Sequence, residues 1–306
     1  MPENTLVRAQ LILPLHDQSR ARFHFPDYNG RWWVMDTSYY GQKPKVVMDK
    51  EGYRSMIENA VHTMQTQKLE KVVLSRILEW QGERTIETGD MLEELAHAYP
   101  SACVFQFELA NGEEWIGATP EKLLVKRGKN WQTIALAGTQ VLANKGTWGA
   151  KEIHEQEVVK DYIINVLESN GAQNIHVSER YERAAGALVH LAHDIHFESD
   201  EKVSFWAQLL HPTPAVCGLP KDLAMEYIRV SEPHARGYYT GLIGLEHPNG
   251  DADVFVLLRC MQRVTGGFLL YAGGGITAGS MSESEYNETE SKANIIRHAL
   301  NAIQSR

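Results

Sequence analysis

Tyr271-Ala272-Gly273-Gly274-Gly275-Ile276, running into Glu285, Glu288 and Lys292, is the stretch on which the reading of this chain turns. The apolar run Gly267 to Ala272 reads as a strand and Ser282 to Gln304 as a helix, so the glycines sit where a strand gives way to a helix. Three consecutive glycines leave the backbone bare. On the helix, Glu288 and Lys292 fall one turn apart with Glu285 on the same face. Exposed amides, two carboxylates and an ammonium in one small volume suit a doubly carboxylated ligand held through a hard cation. A phosphate-binding loop is the competing reading, but no Gly-Lys-Ser/Thr follows the glycines.

Working outward, strands meet through hairpin-length gaps as often as through helices. That pattern predicts a mixed or antiparallel sheet rather than a doubly wound parallel one. The first sixty residues are aromatic-rich and broken by Pro14, Pro26, Gly30, Gly41 and Pro44, which fits short strands joined by turns, followed by a helix from Gly52 to Gln67. Lys71 to Trp80 is β-branched and apolar on both faces, the signature of a buried strand. Asp90 to Ala98 reads as a helix stopped by Tyr99-Pro100. Short strands are expected at Val104 to Glu108, Glu114 to Gly117, Lys122 to Lys126 and Thr133 to Leu136. A long helix should follow from Trp148 to Ser169, with Val158, Ile163, Val166 and Leu167 at helical spacing. Further helices are expected at Val203 to Leu210 and Lys221 to Val230, and further strands at Tyr238 to Gly244 and Val254 to Arg263. With no repeat, low-complexity tract or linker, the expectation is one compact domain.

Composition narrows the function classes. With 43% apolar residues among 306 there is material for a sizeable core. Thirty basic against 39 acidic residues give a net charge of −9, which argues against nucleic acid as the main partner. Leu11-Ile12-Leu13 is too short for a signal-peptide core, and no run approaches the roughly 20 apolar residues of a membrane span. Cys103, Cys217 and Cys260 are odd in number and far apart, so reduced thiols in a cytoplasmic protein are the simplest reading.

Several groups could carry chemistry. Glu152 with Glu155, and Glu285 with Glu288, are acidic pairs three apart on two helices. Oxygen ligands without Cys or His at ligand spacing suit Mg²⁺ better than Zn²⁺, although acids near helix N-termini are also common as solvated faces. Lys71 enters an apolar strand, and desolvation would lower its pKa toward that of a usable base, unless it snorkels to water from a sheet edge. Glu121, after Gly117-Ala118-Thr119-Pro120, is either a turn residue or a carboxyl held in a cleft as general acid. Gly138 and Thr139 could offer backbone and hydroxyl donors, or simply end a strand. Arg236, next to Tyr238-Tyr239, and Arg259, inside an apolar strand, are candidate carboxylate clamps whose anionic partner is protein or ligand. His190, His193 and His196 have mixed helical spacing and no accompanying Cys, so they read as ordinary polar or half-buried residues.

The order of these elements is more specific than any one of them. Lys71-Val-Val-Leu-Ser-Arg76, Gly117-Ala-Thr-Pro-Glu121, Leu136-Ala-Gly-Thr139, His154-Glu155, His211-Pro-Thr-Pro-Ala-Val-Cys-Gly218, Glu232-Pro-His-Ala-Arg236 with Tyr239, Leu258-Arg259-Cys260 and the glycine-rich segment follow one another along the chain. This order closely resembles the chorismate-utilising enzymes, from about Lys71 to Lys292. Leu-Ala-Gly-Thr, His-Pro-Thr-Pro-Ala and Glu-Thr-x-x-x-Lys together look most like the isochorismate synthases.

The resemblance implies a single α/β (α+β) domain over residues 1–306, with large, mainly antiparallel sheets and peripheral helices. Residues 1–66 form an N-terminal part shorter than in most relatives, and residues 67–306 bear the motifs. It implies Mg²⁺-dependent isomerisation of chorismate to isochorismate. Lys71 would activate water for attack at C2, and Glu121 would protonate the departing C4 hydroxyl. Glu155 and Glu288 would hold Mg²⁺, with Glu152 and Glu285 as neighbouring acids. Gly138, Thr139, His190, Ala215, Tyr239, Arg259, Gly273 and Lys292 would line the substrate. Ala137 stands where aminodeoxychorismate synthases place a Lys, which favours water or ammonia as nucleophile, and no glutamine amidotransferase partner is expected. His154-Glu155-Gln156 departs from the family's usual Glu-His order. Salicylate synthase, which adds pyruvate elimination, and a chorismate-binding protein without turnover are the rival readings. Menaquinone and siderophore biosynthesis would both use the product.

Overall fold

The computed structural model describes residues 6–14, 20–24, 29–141, 146–185 and 188–306. In chain order they form β1 (Leu6–Pro14), β2 (Arg20–His24), β3 (Arg31–Met35), α1 (Lys50–Thr66), β4 (Lys71–Gln81), α2 (Thr88–Ala98), β5 (Cys103–Leu109), β6 (Glu114–Thr119), β7 (Lys122–Arg127) and β8 (Asn130–Val141). These are followed by α3 (Ala150–Ser169), β9 (Gln173–Val177), β10 (Tyr181–Ala185), β11 (Leu188–Glu198), α4 (Val203–Leu210), β12 (Gly218–Leu219) and α5 (Lys221–Ser231). The last elements are β13 (Leu242–Glu246), β14 (Ala252–Val256), β15 (Cys260–Val264), β16 (Gly267–Thr277) and α6 (Ser282–Gln304). The fold is mixed α/β with two large antiparallel sheets. The chain divides into two compact units, one holding the residues up to Glu121, Val216–Ile243 and Val256–Arg306, the other Lys122–Ala215 and Gly244–Phe255.

The sheet of the first unit runs β12-β4-β16-β15-β6-β5-β1-β2. Its central pairing is β4 against β16, antiparallel without a register shift from Lys71 opposite Thr277 to Gln81 opposite Gly267. Side chains alternate across a strand, so β16 presents Phe268, Leu270, Ala272 and Ile276 to one side. Phe268, Leu270 and Ala272 enter an apolar layer with Met91, Leu92 and Leu95 of α2 and Ala293, Ile296 and Leu300 of α6. Ile276 packs with Tyr53, Ile57 and Ala60 of α1 and with Val72 and Leu74 of β4. The buried residues of α6 (Thr289, Ala293, Ile296, Ala299, Leu300, Ile303) recur at the spacing of a single helix face, which lays the helix along the sheet. α1 begins at a capping Asp49, whose carboxylate accepts from the Gly52 amide at 2.8 Å.

Within the second unit the strands run β10-β11-β8-β7-β14-β13, with β9 on β11. The long β8–β11 pair carries one irregularity, between His190 and Leu191. Helix α3 packs on β8, and the buried amide of Gln156 reaches the Ala135 carbonyl at 3.4 Å.

Four local expectations change. The strand expected to end at Ala272 runs through the three glycines to Thr277, because β4 continues beside it in unbroken register. The run Val254 to Arg263 is two strands, β14 and β15, separated by a bend at Arg259, whose φ is +47°. Tyr238 and Tyr239 lie in a turn, and the following strand begins only at Leu242. His190, His193 and His196 stand on strand β11 rather than at helical spacing, so His193 points to the opposite face from the other two.

Candidate functional site

In the first unit the glycine triad is a stretch of β16 from which side chains are missing on both faces. A methyl group at Gly275 would lie 3.0 Å from Lys71 Cε and 3.6 Å from its Nζ, so the lysine lies over the strand there. A methyl at Gly273 would meet Tyr239 Oη at 3.0 Å. At Gly274, facing the other way, the nearest atoms are Glu285 Oε2 at 3.6 Å, Glu288 Oε1 at 3.8 Å and Tyr53 Oη at 3.9 Å. Lys292 Nζ donates to the Gly273 carbonyl at 2.8 Å and pairs with Glu288 at 2.6 Å. The two carboxylates, the ammonium and the bare backbone thus share one small volume, as the sequence of this stretch suggests.

Lys71 is buried, with 7% of its surface exposed. It is not on an edge strand: β12 covers β4 on one side, Leu219 opposite Lys71, and β16 on the other. Glu121 follows β6 across Pro120. Its amide donates to Thr119 Oγ1 at 3.2 Å and its carbonyl accepts from the Val256 amide at 3.0 Å, which pins the backbone under a half-buried carboxyl.

Arg259 owes its place to the bend between β14 and β15. Its carbonyl accepts from the Ala118 amide at 3.0 Å. Burial pushes its guanidinium below the ordinary arginine value, while Tyr239 and the carboxylates of Glu121 and Glu288 pull the other way. Arg259, Tyr239, Glu121 and Glu288 therefore form one electrostatic neighbourhood. Tyr239 is buried, stacks on Tyr271 with ring centroids 5.8 Å apart, and has its phenol held neutral mainly by burial.

Arg236, weighed as a carboxylate clamp, has a protein partner. Its Nε and Nη2 donate to Glu232 at 2.8 and 2.6 Å, and both residues are buried. Sequence reasoning assigned no role to Arg76 or Tyr53. Arg76, buried on β4, donates to Thr289 Oγ1 at 2.9 Å and pairs with Glu290, fastening α6 to the sheet one residue beyond Glu288. Tyr53 donates to the Leu74 carbonyl at 2.9 Å. The helical spacing of Tyr53 and the ending of Lys71–Arg76 in an arginine were the only signals for them.

The second unit holds Gly138, Thr139, Glu152, Glu155, His190 and Ala215. Leu191 pairs with Ala137 and His190 with Thr139, so Gly138, at φ +70°, is the extra residue of a β-bulge. A methyl there would also press on Glu152 of α3 at 3.3 Å. His190 Nδ1 lies 3.2 Å from the Gly138 carbonyl. Beyond its register opposite His190, the side chain of Thr139 lies outside the described residues. Glu152 and Glu155 stand in the first two turns of α3, both half-buried, and Ala215 is half-buried in a turn.

Among the described residues no three His, Cys, Asp or Glu side chains form a ready metal cage. Glu285 and Glu288 are nonetheless hard oxygen donors beside bare backbone, a donor set that fits Mg²⁺ rather than a softer ion. Lys292 now neutralises Glu288.

The chain is 32% identical over 276 residues to isochorismate synthase DhbC of Bacillus subtilis, covering 84% of this chain and 69% of that protein. It is 31% identical over 258 residues to isochorismate synthase EntC of Escherichia coli K12, covering 80% and 66%. The structure of MenF, the menaquinone-specific isochorismate synthase of Escherichia coli, superposes with a TM-score of 0.75 at 27% identity, covering 85% of this chain and 64% of that one. The chain thus spans about two thirds of the length of these relatives. A family model described as chorismate binding enzyme matches residues 36–301, and the chain belongs to that family.

Proposed function

We propose that this protein is an isochorismate synthase, isomerising chorismate by adding water at C2 as the C4 hydroxyl leaves. The observation that carries the reading is Arg259. It is a half-buried guanidinium whose side chain has no bonded carboxylate among the described residues, in one electrostatic neighbourhood with Tyr239, Glu121 and Glu288. A cation withdrawn from water favours an anionic ligand, and chorismate carries two carboxylates. In this reading Arg259 and Tyr239 hold one of them.

Lys71 is the base that takes a proton from water, and Glu121 is the acid that protonates the departing hydroxyl. Water is a weak nucleophile and hydroxide a poor leaving group, so both proton transfers are needed. Lys71 is suited to its part by position, buried on β4 and lying over the bare backbone of Gly275. The bare backbone of Gly273 lets the Tyr239 hydroxyl come close to the strand, and Lys292 adds positive charge next to Glu288.

Glu288 and Glu285 would hold Mg²⁺, which when bound offsets the negative charge of the substrate and fixes its position. Glu155 and Glu152 on α3 carry the same proposed role, and Gly138, Thr139, His190 and Ala215 that of lining the substrate. A cytoplasmic setting accords with the buried thiols of Cys103, Cys217 and Cys260, none of which is in a disulfide. Among the described residues no helix is long and apolar enough to cross a membrane.

The test is incubation of the purified protein with chorismate and Mg²⁺, followed by separation of the products. Isochorismate without pyruvate is the expected result. Salicylate with pyruvate would reassign the chain to salicylate formation, and saturable chorismate binding without product would leave it a binding protein.

A further inference from the structure

The outer edge of β4, the strand that begins with Lys71, is paired in three different ways. At its start the neighbour is β12: the Glu70 amide donates to Leu219 O at 2.9 Å, and the Val73 amide to Cys217 O at 2.7 Å. Further along, Val47 forms a parallel bridge with Ile77, and the Met48 amide donates to Ile77 O at 3.1 Å. Between Val73 and Ile77 no strand among the described residues covers this edge, and two side chains take its place. Arg236 Nη2 donates to Val73 O at 2.6 Å, and Glu232 Oε1 accepts from the Ser75 amide at 2.7 Å. The pair supplies one donor and one acceptor in the alternation a neighbouring strand would supply. Arg236 Nη1 also reaches Val216 O at 3.1 Å, joining the approach to β12 to the same patch.

The charges are what allow side chains to do this. Burial alone would raise the Glu232 carboxyl, but Arg236, His234 and the Ser75 amide outweigh it and hold it below the ordinary carboxylate value. Glu232 Oε1 also accepts from Ser75 Oγ at 2.9 Å, and His234 Nε2 lies 3.0 Å from the same hydroxyl. Arg236 uses its planar fork on Glu232 and its remaining donors on two carbonyls and the Thr240 hydroxyl, a division the point charge of a lysine cannot reproduce. The segment is also tied to the substrate side, because Tyr239 N donates to Arg236 O at 3.0 Å.

We infer that the Glu232–Arg236 pair is a positioning device for the reaction: it caps the open edge of β4 and so fixes the height of Lys71 over Gly275. The inference rests on the proposed role of Lys71. The motif Glu232-Pro-His-Ala-Arg236 then acts through the strand and touches no reacting atom.

The experiment compares Arg236→Lys and Glu232→Gln with the unmodified chain, well below their melting temperatures. Backbone amide exchange is read residue by residue, and kcat and KM for chorismate are read across pH. In Arg236→Lys the Ser75 amide should exchange about tenfold faster, while Leu74 and Arg76, whose amides face β16, keep their protection. Turnover should fall about tenfold or more in kcat, with KM within about threefold and the acid limb of the rate profile, where the base must lose its proton, displaced. Glu232→Gln keeps an acceptor for Ser75 and should lose less on both measures. Unchanged Ser75 exchange in either folded variant, or faster exchange with unchanged kcat, overturns the inference. If the unmodified chain turns over no chorismate, the proposed function fails first, and the exchange data alone then decide whether the ion pair caps the strand.

Discussion

Substituting alanine singly at Gly273, Gly274 and Gly275 should give three different outcomes, because the three positions meet different atoms. At Gly275 the added methyl lies 3.0 Å from Lys71 Cε. Ordinary carbon–carbon contact is about 3.5–4.0 Å, so the lysine must withdraw by about 0.5–1 Å. The atom that yields is near the free end of a flexible side chain, and the backbone there is ordinary extended strand. The fold should therefore lose less than about 1 kcal/mol, partly offset by the lower entropy of an unfolded alanine. Displacing a base by that much should nonetheless cost about 10-fold to 10²-fold in kcat.

At Gly274 the nearest atoms are 3.6 Å away or more, ordinary contact distance, so stability should change by less than about 0.5 kcal/mol. At Gly273 the methyl would sit 2.7 Å from the Leu74 carbonyl oxygen and 3.2 Å from Ser75 Cα, both backbone. Neither can move without disturbing β4, and a loss of about 1–3 kcal/mol is expected. Urea denaturation gives the stabilities, and a chorismate turnover assay at a temperature where every variant is folded gives the rates. Full activity in a folded Gly275→Ala would refute the placement of the base over this strand. A Gly274→Ala less stable than Gly273→Ala would refute the packing on which the order rests.

Lys71→Ala should abolish turnover while chorismate binding in the presence of Mg²⁺ stays measurable by calorimetry; near-normal turnover would remove Lys71 from the chemistry. Arg259→Lys should raise KM by about 10-fold or more through loss of a charge-assisted contact, with a smaller effect on kcat, as steady-state kinetics would reveal. Arg76→Met, which strips Glu290 of its buried partner, should lower stability by about 3 kcal/mol in urea titrations. Stability should also fall with acid in two stages. Burial holds His234 below the ordinary 6.5, so once the pH drops under that value the unfolded state binds more protons than the folded one. Glu232, held below the ordinary 4.5, adds a second loss as the pH falls from there through its folded value. Urea midpoints across the range measure both, and His234→Gln should remove the first stage and shrink the second, because His234 helps hold Glu232 down.

What could be read without coordinates follows from how local each signal was. Helices α4 and α6 fall on the residues their periodicity implies, because each buries one face and the pattern repeats over several turns. The strand through Gly273–Gly275 was hidden, since glycine has poor strand propensity and only pairing with distant β4 holds it extended. The break between β14 and β15 was equally silent: Leu257 to Arg259 contains neither Gly nor Pro, and the positive φ of Arg259 is imposed by packing. β11 escaped notice because His190, His193 and His196 suggest a helical repeat that the sheet ignores. The order of motifs pointed to Lys71, Glu121, Arg259 and Glu288. Nothing in the order could show that Lys71 lies over Gly275, which depends on register, or that Arg236 spends its charge on Glu232.

The glycine triad is best understood by asking what any other residues would do there. A β-strand normally presents a side chain to each face in turn, so one face at a time is closed by its own residues. With Gly273 and Gly275 bare, Tyr239 and Lys71 reach the backbone on one side. With Gly274 bare, Glu285, Glu288 and Tyr53 do so on the other. Lys292 is joined to the same point through the Gly273 carbonyl. A single glycine would have admitted groups from one face only, and a flexible loop of glycines would have admitted both without holding them. Embedding the three in a strand paired along its whole length with β4 removes that freedom, because every Cα there has a partner in register. The segment thus combines open access with a fixed backbone, which is what a base on one side and a carboxylate pair on the other require if both are to act on one small dianion.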